Sequence, residues 1–287
     1  PITMTKKPQK LDKSTAFEVR PEQSVDLLKA LHILTVDGKM NQDSRRKLKQ
    51  VYHLFRFIEP LLAQVWADKG HLTVVDHGAG KSYLGFILYD LFFKPQQLPA
   101  SAAMIYGIET REELVKTSQH LAQQAGFDGM AFLNLSVAES TTSTQLPDQI
   151  DIVTALHACD TATDDAIAFA LAKKAQHIVL VPCCQAEVAS VLRKNKNHAS
   201  PMSEMWRHPI HTREFGSQIT NVLRCLQLEA HGYSVSVTEL VGWEHSMKNE
   251  LIIATRKNAG NKKAAERLGE VLAAAGLDEM GERFFVL

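Results

Sequence analysis

From His71 onward, short apolar runs alternate with segments whose apolar residues recur every three or four positions. The runs LTVVDHGAG, AAMIYGIET, MAFLNLSVAES, QIDIVTALHACD and AQHIVLVPCCQ have the length and continuity of strands. Between them, SYLGFILYDLFF, REELVKTSQHLAQQAGF and the stretch Thr163–Lys174 carry helical periodicity. A serine is placed to cap the first of these helices and Gly126 to stop the second. Strands alternating with helices build a parallel sheet through right-handed crossovers. A helix over 214–231 then leads into SVSVTELVGWEHS and NELIIATR, an antiparallel pair turning near Met247 and Lys248. The expected architecture is α/β, with a mostly parallel seven-stranded sheet.

The first 70 residues read differently. Residues 1–20 form a polar arm, and after Ser24 the residues Val25, Leu27, Leu28 and Leu31 recur at helical spacing up to about Leu34. DGKMNQD is a turn, and RRKLKQVYHLFRFIEPLLAQVW then sets apolar residues on one face and Arg and Lys on the other. The expected organisation is an N-terminal arm and helical extension over 1–70, a core over 71–257 and a helical tail over 258–287. The tail segment KKAAERLGEVLAAAGL is expected on the outside of that core.

With 287 residues, 45% hydrophobic and 22% charged, the chain can bury a large core. Formal net charge is zero, so overall charge selects no partner. Cations cluster nonetheless, at Lys6, Lys7, Lys10 and Lys13, at Arg45, Arg46, Lys47 and Lys49, and at Arg193, Lys194 and Lys196. Such clusters suit solvated helix faces as well as a phosphate backbone. Four cysteines, two of them adjacent, make no secreted disulfide framework. PITMTKKPQK has no apolar signal core, and GFILYDLFF is short and broken by Asp90. No membrane span is expected, and the cytoplasm is the expected location.

The stretch VVDHGAGKSYLG, residues 74–85, carries the most chemistry. Gly80-Lys81-Ser82 matches the end of a phosphate-binding loop, but the glycine opening such a loop would fall at Val75, inside a strand. A dinucleotide fingerprint has Gly78 and Gly80 but finds Tyr83 at its third glycine. What remains is a strand, an acid and two spaced glycines ahead of a helix. This pattern of Asp76, Gly78 and Gly80 resembles motif I of the class I S-adenosylmethionine-dependent methyltransferases. The glycines let the backbone approach a bulky cofactor and turn sharply. A carboxylate there can face the cofactor's cationic amino acid portion, whereas it would repel a triphosphate.

In an open parallel sheet, ligands sit beyond the carboxyl ends of the strands. Glu109, with Thr110 beside it, ends the second strand, where an acid can accept both ribose hydroxyls; otherwise it opens the helix REELVK. Ser136 and Val137 end the third, where an adenine would lie. The fourth ends LHACDTATDD, in which His157 and Asp160 offer a general base and an acceptor. The alternative is a core histidine and a helix cap. The fifth ends VPCCQ, which brings Cys183 and Cys184 near His157 and Cys159. Zinc is one reading of those four, but adjacent cysteines rarely both face one metal, there is no C-x-x-C, and no metal is expected. The zinc deaminase pattern fails because Cys159 stands where its glutamate belongs. Cys183 as a thiolate attacking a pyrimidine ring, and cysteines as apolar pocket lining, remain open. EMWRHPIHTREFG interleaves aromatics with Arg207, His208, His211 and Arg213, which suits bases and phosphates, or a bare surface loop. The stretch Trp243–Asn249 is expected on the substrate side.

Taken together, DHGAGKSYLGF, LHACDTATDDAI, VPCCQ and EHSMKNELIIATR resemble the methyltransferase domain of the glutathione-transferase-C-terminal-domain-containing protein family and its bacterial relatives. The resemblance covers about residues 25–256, and RRKLKQVYHLF is similar to that family's preface. More distantly, the His-x-Cys and Cys-Cys elements resemble those of tRNA ribose 2′-O-methyltransferases that modify the acceptor stem. The resemblance implies a Rossmann-like class I methyltransferase fold and S-adenosylmethionine as cofactor, held at Asp76, Gly78, Gly80, Lys81 and Glu109. Ala79, Thr110, Ser136, Val137 and His157 are expected to complete the cofactor's surroundings. The active-site edge falls at His157, Asp160 and Cys183. RNA, as tRNA or rRNA, is the expected acceptor. A protein side chain, a small metabolite, or a non-catalytic cofactor-binding scaffold are the other readings. Strand four lacks the Asn/Asp-Pro-Pro-aromatic signature, so adenine-N6 chemistry is not expected, and a monomer or weak dimer is.

Overall fold

The computed structural model of the protein describes residues 18–156, 160–182, 186–195, 200–240, 250–257 and 260–284. Its strands are β1 Leu72–His77, β2 Ala103–Glu109, β3 Met130–Asn134, β4 Ile152–Leu156, β5 His177–Val181, β6 Tyr233–Glu239 and β7 Glu250–Arg256. They form one seven-stranded sheet in the order β3-β2-β1-β4-β5-β7-β6. β1 pairs parallel with β4, β2 with β3, and β4 with β5, while β7 runs antiparallel to β5 and β6. The mostly parallel α/β sheet expected from the alternation is the one observed. Among the described residues, no helix is long and apolar enough to cross a membrane. The chain divides into two compact units, residues 1–73 with 79–134 and residues 74–78 with 135–287.

Among the described residues of the first unit lie β2, β3 and the helices α1 Val25–Ala30, α2 Gln42–Lys69, α3 Tyr83–Leu88 and α4 Glu112–Ala125. Ser24 and Asn41 cap α1 and α2 by accepting the N–H groups of Leu27 and Ser44. Leu48, Val51, Leu54, Phe55, Ile58, Leu62 and Val65 form the buried face of α2, as its periodicity predicted. Gly70 and Gly126 end α2 and α4 in the left-handed region. The expected serine cap on α3 is corrected: Ser82 lies at φ +51° and makes no side-chain capping bond. The chain is still turning tightly there, since Gly80 two residues earlier is also left-handed at φ +56°. Nor is the helix uniform, because α3 passes into a π turn, Tyr89–Phe93. Inside that turn Asp90, which interrupts the apolar run, is fully buried. Its carboxylate accepts the Ser24 N–H at 2.8 Å and the Lys94 ammonium at 2.8 Å, tying the preface to the turn.

Among the described residues of the second unit are β4 to β7, most of β1, and the helices α5 Val137–Thr142, α6 Thr161–Ala172, α7 Ala186–Lys194, α8 Pro209–Ala230 and α9 Lys262–Ala274. Ser136 and Val137 do not end a strand. Ser136 caps α5 in a reciprocal box with Glu139, its N–H donating to Glu139 Oε2 at 2.7 Å. The stretch 203–213 is likewise no open loop. It folds as a 3-10 helix over Pro201–Trp206 and the first turn of α8, with Pro209 at its head. Trp206 is fully buried against Phe215, ring centroids 5.3 Å apart, in a cluster with Leu192, Leu223, Leu268 and Leu272. The tail helix α9 thus feeds two leucines into the α7–α8 core. The turn near Met247 and Lys248, with Trp243–Asn249, lies outside the described residues.

At the end of β1, His77 is buried and leans on Phe169 of α6, centroids 5.2 Å apart. Burial pushes its pKa from 6.5 down to about 4, and Nε2 has no hydrogen-bond partner. The folded protein therefore holds this ring neutral.

Two outcomes follow for stability. Asp90→Ala leaves the half-buried Ser24 N–H without its acceptor and unpairs Lys94, and should cost about 3 kcal/mol in urea denaturation. For His77, the unfolded chain gains its proton near pH 6.5 and the folded one only near pH 4. The unfolded state binds more protons across that window, so stability falls as pH drops through it, by roughly 3 kcal/mol in all. His77→Gln should flatten this slope. Equal losses for wild type and variant between pH 7 and pH 4.5 would refute the assignment.

Candidate active site

The first unit carries a compact arrangement around Glu109, the last residue of β2. Only 8% exposed, its carboxylate must be satisfied from within the protein. Gly80 N–H donates to Oε2 at 2.9 Å. The Arg111 guanidinium closes on it as a fork, Nε to Oε1 and Nη2 to Oε2, both at 3.0 Å, and the Arg111 N–H adds a third bond to Oε1. The Thr110 hydroxyl also reaches Oε1, at 3.3 Å. The Arg111 hydrogen bonds outweigh burial and hold the Glu109 carboxyl at about 2, well below its ordinary value of 4.5. Reciprocally, Glu109 raises the Arg111 pKa. Asn134, at the end of β3, fixes the strand end by donating to the carbonyls of Glu109 and Thr110 at 3.0 and 2.8 Å. The glycine loop is seated by Ala79 N–H on the Ile108 carbonyl at 3.0 Å. Expected residues Ala79, Gly80, Glu109 and Thr110 are therefore brought together, while Lys81 is exposed beside them. Arg111 and Asn134 escaped the sequence reading, although an arginine two residues after the strand-end acid was there to be seen.

The second unit holds the other half of the motif. Asp76, 2% exposed, accepts the Thr154 hydroxyl of β4 at 2.9 Å. Gly78 is exposed at φ +67°, and among the described residues a Cβ placed on it would meet nothing within 4 Å. The backbone angle, rather than crowding, requires glycine. The Ser136 hydroxyl donates to Glu139 Oε2 at 2.6 Å, and Val137 begins α5. His157 and Cys183, with Cys159 and Cys184, lie outside the described residues.

Asp160 is described, and its side chain makes no capping bond to α6. Instead Oδ1 accepts the Glu187 N–H of α7 at 3.3 Å, and its backbone carbonyl accepts Arg224 Nη2 at 2.8 Å. Both partners are remote in sequence, so neither was foreseeable from spacing. Burial pushes the Cys225 thiol up to about 12, which leaves it inert at neutral pH. Among the described residues, no group of three or more His, Cys, Asp and Glu side chains is set to hold a metal ion.

A family model for a methyltransferase domain matches residues 46–191, half of the chain. Comparison with curated protein sequences gives no match. Similar solved structures include magnesium protoporphyrin IX methyltransferase from Synechocystis PCC 6803 with bound SAH, at 17% identity, 81% of this chain, 93% of that one and a TM-score of 0.43. An rRNA methylase from Streptococcus thermophilus aligns at 10% identity over 70% of this chain and 95% of that one, TM-score 0.43. The N-terminal domain of human METTL16 in complex with SAH aligns at 10% identity over 81% and 79%, TM-score 0.46. Since one family model spans half of the sequence, the chain belongs to the methyltransferase-domain family, as a class I S-adenosylmethionine-dependent methyltransferase.

Proposed function

We propose that the protein transfers the methyl group of S-adenosylmethionine to RNA, tRNA or rRNA, in the cytoplasm as a monomer or weak dimer. Its motifs resemble those of the methyltransferase domain of the glutathione-transferase-C-terminal-domain-containing proteins. The observation that carries the cofactor assignment is the buried Glu109 carboxylate on the Gly80 amide. The buried acid Glu109 suits a ligand with a ribose diol and opposes a triphosphate. Bound there, that cofactor supplies an electrophilic methyl group. Glu109 takes the ribose hydroxyls beside the Gly80 amide, and Asp76 keeps the role at the amino acid end that the motif I resemblance gives it. Arg111, 60% exposed, keeps the carboxylate ionised and is free enough to yield hydrogen bonds to the diol. His157 removes the acceptor's proton, with Cys183 as the nucleophile if the acceptor is a pyrimidine carbon.

Exposed Lys47, Lys49, Arg193 and Lys194 support RNA as the acceptor. A second reading, a protein side chain or small metabolite, is favoured by the ion pairs at the start of α8. Arg207 is paired with Glu204 at 3.0 Å and Arg213 with Glu214 at 2.8 Å, and the intervening tryptophan is buried.

Calorimetry with S-adenosylhomocysteine tests the cofactor site. Glu109→Ala removes two charge-assisted hydrogen bonds, about 3 kcal/mol or about 100-fold in affinity, while Lys81→Ala should change little. Tight ATP binding abolished by Lys81→Ala would overturn the assignment. For the acceptor, methyl-labelled cofactor should mark the RNA fraction, with RNA affinity dropping about tenfold or more between 50 and 200 mM salt. Label in protein or metabolites supports the second reading; cofactor binding without label in any fraction leaves a scaffold.

A further inference from the structure

An ionised carboxylate offers about four lone-pair sites. The Glu109 carboxylate already accepts five donors. Thr110 Oγ1 at 3.3 Å, the Arg111 N–H at 3.0 Å and Arg111 Nε at 3.0 Å converge on Oε1. The Gly80 N–H at 2.9 Å and Arg111 Nη2 at 3.0 Å meet Oε2. A further pair of donors finds no room until one of these groups leaves.

The donors differ in what holds them. The Gly80 and Arg111 N–H groups belong to the backbone, which Asn134 and the Ala79–Ile108 bond fix in place. The Arg111 side chain is 60% exposed, so water reaches the guanidinium and can take over its hydrogen bonds at little cost. Its departure frees one site on each oxygen. A vicinal diol makes that same demand, one O–H donor to each oxygen of a single carboxylate. The guanidinium also fills space. Among the described residues Nη2 is the nearest atom, at 3.8 Å, to a Cβ built on Gly80, so it stands over the side-chain-free face of the loop. All of these residues belong to the first unit. Fork and diol therefore compete for the same two oxygens.

We propose that Arg111 is a latch on the ribose site: its fork closes over Glu109 and Gly80 in the free protein and swings out as the cofactor's diol takes its two places. The inference rests on the reading of Glu109 as the ribose-binding acid. The exchange swaps two hydrogen bonds for two, so the latch weakens cofactor binding by what its ion pair contributes. In return it keeps a buried acid paired while no ligand is present, where an unmatched carboxylate is unfavourable.

Calorimetry with S-adenosylhomocysteine reads the sign. Arg111→Ala should bind about three- to fivefold more tightly than wild type, the range of an exposed ion pair. Arg111→Lys keeps the charge without the fork and should fall between the two. In a Glu109→Ala background no acid remains to latch, and Arg111→Ala should then change affinity by less than about twofold. Equal or weaker binding by the single Arg111→Ala variant overturns the latch. A second readout uses the wild type alone. The Arg111 Nε–H signal should exchange slowly with water in the free protein and faster once S-adenosylhomocysteine is added. Fast exchange already in the free protein, or equal protection in the complex, also overturns it. Failure of wild type and Arg111→Ala alike to bind S-adenosylhomocysteine would instead sink the reading of the site, and the latch with it.

Discussion

A carboxylate at 8% exposure has to be met by donors, and the donors chosen by Glu109 shape the chain around it. One is the amide of Gly80, a residue that itself sits at φ +56°. Another is Arg111, whose fork and backbone N–H together keep the acid ionised far below its usual range. The strand end is steadied by Asn134, and the loop by the Ala79–Ile108 bond. Without the carboxylate, the Gly80 amide and the Arg111 fork lose their common acceptor. The geometry of the glycine loop is thus a consequence of satisfying one buried charge.

That half of the site was legible because its parts are local. An apolar strand, an acid at its end and glycines two apart are fixed by short-range backbone rules, and a parallel sheet puts strand ends on one edge. The seven strands were legible for the same reason, since length and continuity of apolar runs survive any tertiary detail. Where the reading failed, a local signal was ambiguous. Ser136-Val137-Ala138-Glu139 is a capping box, but it follows an apolar run and was taken as strand. Ser82 precedes an apolar helix as a cap would, yet the left-handed turn inherited from the glycines prevents it. Trp206 stands among cations like a stacking surface, and packing against Phe215 and the α9 leucines removes it from solvent.

The network around Arg224 had no local signal. Arg224 lies 60 and 64 residues from Asp164 and Asp160, and a buried arginine in an amphipathic helix looks like any other polar position until the fold closes over it. Buried polar groups divide here into two kinds. Asp90 and Arg224 are satisfied many times over and fix chain segments to one another. His77 is instead left with an unpartnered nitrogen and kept neutral by burial. The first kind costs desolvation and gains orientation. The second makes the fold sensitive to acid.

The same accounting bears on the acceptor. Arg207 and Arg213 each have a carboxylate at hydrogen-bonding distance on the same helical surface, so the stretch presents dipoles rather than net charge. Exposed pairs of this kind contribute at most about 1 kcal/mol, and a polyanion can exchange them. The exchange recovers less than contact with unpaired lysines would, because each arginine must first give up its glutamate. The pairing of Arg207 and Arg213 thus leaves the start of α8 close to neutral, so what it contributes to a partner is shape and dipoles rather than charge.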